Sequence, residues 1–146
     1  MTPQFRGNYS HSIDAKGRII IPVKFRDALG ESFVVTRGVG GCLYAFAPDE
    51  WEEFAAKFDE LPLYDENARK MKYFFVGGAF DVEPDKQGRV LLPESLLAHA
   101  GIEKEAVVVG MGTRLEIWSA ARWSEAFRFE EDADITQAMS AYDLRF

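Results

Sequence analysis

Asp14-Ala15-Lys16-Gly17-Arg18-Ile19-Ile20-Ile21-Pro22 returns 71 residues later as Asp85-Lys86-Gln87-Gly88-Arg89-Val90-Leu91-Leu92-Pro93. Asp, Gly, Arg and Pro are identical in the two copies, and three aliphatics answer three aliphatics. The agreement continues downstream. Ala28-Leu29-Gly30 matches His99-Ala100-Gly101, Leu43 to Phe46 matches Leu115 to Trp118, and Trp51 matches Trp123. An internal repeat decides how the whole chain is read. Here it spans about 45 residues in each half of a 146-residue chain.

The residues of one copy dictate a unit. Arg6 to Ile13 reads as a strand of mixed polarity. Asp-x-x-Gly is a turn, because Asp accepts from the amides that follow it and Gly takes positive φ. Arg18 to Ile21 is a short strand rich in β-branched residues. Pro22 suits the first turn of a helix, which needs no N–H there. Val23 to Leu29 then makes two helical turns, with Phe25 and Leu29 on one face. Gly30 ends it. Strands over Phe33 to Thr36 and Cys42 to Phe46 flank Gly38-Val39-Gly40-Gly41. The second copy predicts Arg89 to Leu92, a helix over Glu94 to Ala100, and strands over Val107 to Met111 and Leu115 to Trp118.

A unit of this size cannot bury its own apolar faces. Two copies in one chain therefore suggest packing about a pseudo-twofold axis. Helices are expected around them. Pro48 to Phe58 carries Trp51, Phe54 and Phe58 at i, i+3 and i+7. Asn67 to Val76, Ala120 to Phe129 and Ile135 to Leu144 are the others. The division is a first unit over 5–50, a helical connection over 51–77, a second unit over 78–121 and a helical segment over 122–146.

Composition sets bounds. Seventeen Lys and Arg oppose twenty-four Asp and Glu, a net charge of -7 that by itself points away from nucleic acid. The charge is unevenly placed. Residues 1–26 hold Arg6, Lys16, Arg18, Lys24 and Arg26 against Asp14, for +4, and the other 120 residues sum to -11. The second turn adds Lys86 and Arg89 against Asp85. If the two turns lie side by side, they form one basic edge on an acidic body, which attracts phosphate locally. One cysteine, Cys42, allows no internal disulfide and no Cys-cluster zinc site. No apolar run approaches the roughly 20 residues of a membrane span, and no signal-peptide stretch opens the chain. A reducing, cytosolic setting is the expectation. P-loop, Gly-x-Ser-x-Gly, His-Glu-x-x-His and dinucleotide glycine motifs are absent, so no enzyme is read here. No cofactor or small-molecule substrate is expected, and two histidines, His11 and His99, make a poor metal site.

Asp14-x-Lys16-Gly17-Arg18-x-x-x-Pro22-x-x-x-Arg26 resembles the swapped-hairpin motif of the AbrB family of DNA-binding domains. The pair of motifs, with Phe5-Arg6-Gly7 before the first and Val109 to Trp118 after the second, is similar to the MraZ family of bacterial transcriptional regulators. The resemblance covers almost the whole chain. It implies an α+β fold of two pseudo-symmetric swapped-hairpin β units, interlaced into one barrel-like core with flanking helices. It implies a sequence-specific DNA-binding regulator in the cytoplasm, associated with the nucleoid. Such a protein assembles as a ring-shaped homo-oligomer. It binds direct repeats in the promoter of its own cell-division and cell-wall operon, usually as a repressor.

Carried over residue by residue, the DNA-binding candidates are Asp14, Lys16, Arg18, Arg26, Asp85, Lys86 and Arg89. Guanidinium groups at Arg18 and Arg89 suit two phosphate oxygens or guanine O6 and N7. A plain ion pair with Asp14 or Asp85 is their alternative role, and one Asp can serve both. Lys16, Lys86 and Arg26 suit phosphate. The counterpart of Arg26 in the second copy is Leu97, so the halves are unequal there. Trp51 and Trp123 read as helix-face core or subunit-contact residues, and Cys42 as a small buried apolar group. Glu130-Glu131-Asp132-x-Asp134 reads as a solvated helix end. The competing function is a swapped-hairpin protein-interaction module, antitoxin-like, whose main partner is a protein. Such a module normally has one motif and an unfolded tail. Two motifs and a C-terminal stretch with Trp, Phe and Tyr at helical spacing argue against it.

Overall fold

The computed structural model describes residues 4–127 and 132–145. In chain order the elements are β1 (Asn8–Ser12), β2 (Arg18–Ile20), α1 (Val23–Leu29), β3 (Phe33–Gly38), β4 (Cys42–Phe46), α2 (Pro48–Asp59), α3 (Glu66–Phe75), β5 (Phe80–Val82), β6 (Arg89–Leu91), α4 (Glu94–Ala100), β7 (Glu105–Met111), β8 (Arg114–Ser119), α5 (Ala120–Ala126) and α6 (Asp132–Ser140). The expected helices over Val23 to Leu29 and Glu94 to Ala100, and the strand over Cys42 to Phe46, have the predicted bounds. Residues 128 and 129 of the expected fifth helix, and Glu130 and Glu131 of the acidic run, lie outside the described residues.

All strand pairs are antiparallel, in a six-stranded sheet of order β1-β7-β8-β4-β3-β5 and a two-stranded ribbon of β2 and β6. The order is an exchange between halves. β1 leaves the first half to pair with β7, from Asn8 opposite Val109 to Ser12 opposite Glu105. β5 leaves the second half to pair with β3. At the centre β4 meets β8, with Tyr44 opposite Glu116. The ribbon joins the halves again, with Ile19 opposite Val90.

The inner strands of the sheet, β7, β8, β4 and β3, are buried on both faces. One face packs on the ribbon and the helices α1 and α4, around Ile19, Phe25, Leu29, Phe33, Leu43, Val90, Leu96 and Ile117. Phe25 is the hub, with Phe5 and Tyr9 both edge-on to its ring at 5.5 Å. Alternate residues of the same strands, among them Cys42, Tyr44, Phe46 and Trp118, meet the aromatics of α2, α3 and α5. Trp51, Phe54, Trp123 and Phe127 are part of that packing. Double burial explains the unbroken apolar run in β4, which a half-exposed strand would not show. The carbonyls that end α3 are anchored to β3. Thr36 Oγ1 donates to the Phe75 carbonyl at 2.5 Å, and Arg37 donates to those of Phe74 and Tyr73 at 3.0 and 2.9 Å.

The expected barrel-like core is not formed, because the six-stranded sheet is open and ends at β1 and β5. Closure would require those two strands to pair. β1 is polar on its outer side (Asn8, Ser10 and Ser12 are exposed), and β5 is only three residues long. A sheet covered by helices on one face and by the ribbon layer on the other satisfies its apolar residues without closing. The strand Phe80–Val82 escaped the sequence reading, since only Val82 of its three residues is buried.

Phe25→Ala removes the ring that Phe5 and Tyr9 share. We expect a loss of about 3–5 kcal/mol in unfolding free energy, typical of a buried Phe truncation. Urea denaturation followed by circular dichroism checks it, and an unchanged midpoint would contradict the packing.

Candidate nucleic-acid interface

The two repeated turns are built alike, atom by atom. In the first, the Gly17 amide donates to the Asp14 carbonyl at 3.0 Å and the Asp14 amide to the Arg18 carbonyl at 3.0 Å. Asp14 Oδ1 accepts from the amides of Lys16 and Arg18, each at 2.9 Å. Its Oδ2 accepts from Arg18 Nε at 2.6 Å. In the second, Asp85 Oδ1 accepts from the amides of Gln87 and Arg89 at 2.9 Å, and Oδ2 from Arg89 Nε at 2.8 Å. Gly17 and Gly88 sit at φ +86° and +80°, where a side chain is strained, so the repeated glycine is a backbone requirement.

The Asp therefore does two things. One oxygen holds the turn, and the other orients the arginine. Only Nε of each guanidinium is used, so among the described residues the terminal nitrogens of Arg18 and Arg89 take no partner. The arginines stay about a third exposed, at 29% and 31% of their side-chain surface. They are held in direction while keeping their donors for something else.

The ribbon fixes where these turns stand. The Leu92 amide donates to the Gly17 carbonyl at 3.0 Å, and the Ile21 amide to that of Gly88 at 2.9 Å. Each turn is thus stitched to the strand of the other. They do not lie side by side, as the sequence suggested; they stand at the two ends of one ribbon. At ~3.4 Å per residue the ends are roughly 14 Å apart. Arg18 opposite Leu91 and Ile20 opposite Arg89 put both arginines on the outer face, while Ile19 and Val90 are fully buried on the inner one. Lys16 and Lys86 are exposed at the turns.

Arg26 changes the comparison between halves. Its Nε donates to the Ile21 carbonyl at 2.7 Å. Its guanidinium covers Gly88, where any β-carbon would collide with it. A basic side chain of the first copy thus sits on the turn of the second. Leu97 takes the equivalent place at the other end, with Cδ1 3.1 Å from where a Gly17 β-carbon would lie. Arg26, absent from the second copy in sequence, is supplied to the second turn by the exchange. The basic surface is bounded nearby: a surface cleft of about 600 Å³ is lined by Arg26 together with Asp27, Glu31 and Glu83.

Other candidate groups have structural partners. His99 Nε2 lies 3.0 Å from the Gly38 carbonyl, and its ring meets Phe74 edge-on. Burial, with the Glu116 charge adding, pushes the Cys42 thiol up to about 12, away from reactivity. Among the described residues no cluster of His, Cys, Asp and Glu is fit to hold a metal ion, and no helix is long and apolar enough to cross a membrane. Two polar anchors escaped the sequence reading. Glu116, buried, accepts from Arg114 at 2.8 Å and from Trp118 Nε1 at 3.0 Å. Arg122 donates to the carbonyls of Gly41 and His99. The alternation Arg114-x-Glu116-x-Trp118 was the available signal for the first; Arg122 reaches across the fold and left none.

The backbone amide of Arg18 leads the forces that hold the Asp14 carboxyl below its ordinary value of 3.8, followed by the Arg18 side chain and the Lys16 amide. Asp85 is lowered in the same way, by the Arg89 amide first. A carboxyl lowered on folding contributes stability that is whole above the unfolded value, about pH 4, and is lost as pH falls through the folded one. We expect the urea midpoint of the native chain to fall between about pH 5 and about pH 2 more steeply than that of an Asp14→Asn, Asp85→Asn double variant. Parallel pH profiles would remove the two carboxylates from the account.

The family described as "MraZ protein, putative antitoxin-like" matches residues 4–74 and again 75–146. A protein of Ligilactobacillus salivarius named transcriptional regulator MraZ is 49% identical over 143 residues, covering 96% of this chain and 99% of its own. One of Lachnoclostridium phytofermentans with the same name is 47% identical over 142 residues, covering 97% and 99%. A third, of a Thermoanaerobacter species, is 50% identical over 119 residues, covering 82% and 83%. These relatives are named as regulators and not as enzymes.

Proposed function

The chain belongs to the MraZ family, and we propose that it is a transcriptional regulator that binds double-stranded DNA through the outer face of the β2–β6 ribbon. The observation that carries this reading is the pair of Asp-clamped arginines on that face, each held through Nε alone. A two-stranded ribbon fits a major groove about 12 Å wide. In that pose Arg18 and Arg89 reach base edges, where a guanidinium pairs with guanine O6 and N7. The turns, roughly 14 Å apart along the ribbon, bring Lys16 at one end and Lys86 and Arg26 at the other to backbone phosphates. Asp14 and Asp85 act through the arginines they orient.

The exchange of β1 and β5 between the halves supports reading residues 5–50 and 78–121 as two swapped-hairpin units, with 51–77 and 122–146 as helical additions. The targets are direct repeats in the promoter of the chain's own cell-division and cell-wall operon, and the sign of control is repression. The protein works in the cytoplasm on the nucleoid. Few basic groups are offered per subunit on an acidic body, so a ring of subunits meeting several spaced repeats supplies the affinity by multivalency.

A footprint of the protein on the DNA upstream of its own coding sequence tests the reading directly. On a duplex so identified, Arg18→Ala and Arg89→Ala abolish repeat-specific retardation while the chain stays folded. Lys16→Ala, Lys86→Ala and Arg26→Ala weaken binding to all sequences, each reducing the slope of log K against log salt by about 0.9. Normal retardation by the Arg18→Ala variant would overturn the assignment. Loss of DNA binding in the native chain, with a protein partner bound instead, would favour the interaction-module reading.

Mass photometry of the native chain reports the assembly. A single closed species of several subunits is the expected result; a monomer at micromolar concentration contradicts the ring.

A further inference from the structure

The outer face of the ribbon holds two side chains that phosphate binding does not use. Ile20 is 37% exposed and Leu91 58%. The register makes a square of four: Arg18 faces Leu91 across the ladder, and Ile20 faces Arg89. The arginines occupy one diagonal and the aliphatics the other. Diagonal neighbours in such a pair stand about 7–8 Å apart.

Single exposed aliphatics are ordinary on any protein surface. These two differ in arrangement. They are counterparts in the repeat and share one face. Neither is needed for the core, which the ribbon serves through Ile19 and Val90. A threonine would satisfy the strand as well. The surroundings select the occupant, because Lys16, Arg18, Lys86, Arg89 and Arg26 gather around the ribbon on a chain that is otherwise acidic. That field attracts a polyanion. Within a DNA major groove the apolar feature a side chain can meet is the C5-methyl of thymine.

We propose that Ile20 and Leu91 contact thymine methyl groups and so set the base preference beside the positions that Arg18 and Arg89 read. The inference rests on the DNA-binding reading above and adds specificity residues to it. The pseudo-twofold axis of the ribbon puts the two contacts on opposite DNA strands. Each thymine lies next to the base pair that an arginine reads, so the core of each repeat carries a short, imperfect inverted symmetry inside a directional repeat.

The test removes one methyl at a time. Each thymine of the footprinted duplex is replaced singly by deoxyuridine, and affinity is measured by fluorescence anisotropy at one fixed salt concentration. The native chain, Ile20→Ser, Leu91→Ser and the conservative Leu91→Met are compared, with urea midpoints as a folding control. At two thymines, one on each strand, the replacement weakens binding to the native chain about fourfold, the worth of one buried methyl. Ile20→Ser becomes insensitive to one of these replacements and Leu91→Ser to the other, while Leu91→Met keeps its sensitivity. Tight binding by the native chain with no thymine that distinguishes it from either serine variant overturns this inference and leaves the DNA-binding reading standing. Failure of the native chain to bind any duplex overturns both.

Discussion

Neither half of this chain can complete a sheet without the other. β1 belongs to the first copy and hydrogen-bonds to the second; β5 does the reverse; β2 and β6 make a ladder that exists only when both copies are present. The apolar layer beneath the ribbon draws Phe25 and Leu29 from one copy and Leu92 and Leu96 from the other. Stability is therefore joint, and much of it rests on contacts between residues far apart in sequence, which cost loop-closure entropy before they return anything. The gain is rigidity between the two turns. Their spacing is set by backbone hydrogen bonds from Leu92 to Gly17 and from Ile21 to Gly88, so no linker can stretch or rotate it.

On that frame the Asp–Arg pairs have a job other than stability. They are partly exposed ion pairs, a class whose contribution to folding is small. What they fix is direction. A free arginine samples many rotamers, and ordering it at the moment of binding costs about 0.5–1.5 kcal/mol per side chain. Clamping Nε to a carboxylate that is itself held by two amides meets that cost during folding and leaves the terminal nitrogens as donors. The same logic explains why Asp, and not Glu, stands at the turn: its short side chain reaches the amides two and four residues on.

Much of this was legible from one repeated stretch. Asp-x-x-Gly-Arg predicted the turn because Asp and Gly each have a distinct local reason to be there, and Pro22 with Phe25 and Leu29 predicted α1. The open sheet was not legible, since closure depends on whether β1 and β5 find each other, and periodicity within a strand carries no information about its neighbours. Phe80–Val82 was hidden because a three-residue edge strand with two exposed members has no alternation to read. The placement of Arg26 was not legible, for a deeper reason. Alignment compares Arg26 with Leu97 and finds the second copy wanting. Space compares Gly88 with Gly17, and finds Arg26 over the one and Leu97 over the other. Sequence comparison credits a residue to the copy that encodes it, while exchange delivers it to the copy it touches.

That inequality between the ends has a physical use in the proposed function. A ribbon with two identical ends looks the same after a half turn, and would settle on DNA equally well in either orientation. Direct repeats have a direction, so a reader of them must have one. Here the end at the second turn carries Lys86 and Arg26, and the end at the first carries Lys16 beside the neutral Leu97. The helices agree: α1 begins Val23-Lys24, whereas α4 begins Glu94-Ser95. In the proposed pose one end would therefore offer phosphate more cations than the other, with Asp27, Glu31 and Glu83 bounding that end. A difference of only about 1.4 kcal/mol would favour one orientation tenfold. In the proposed ring, linked subunits would choose together, so a modest preference in each would be compounded across all that touch DNA. A quasi-symmetric fold thus becomes directional through a few unequal positions, Arg26 against Leu97 foremost.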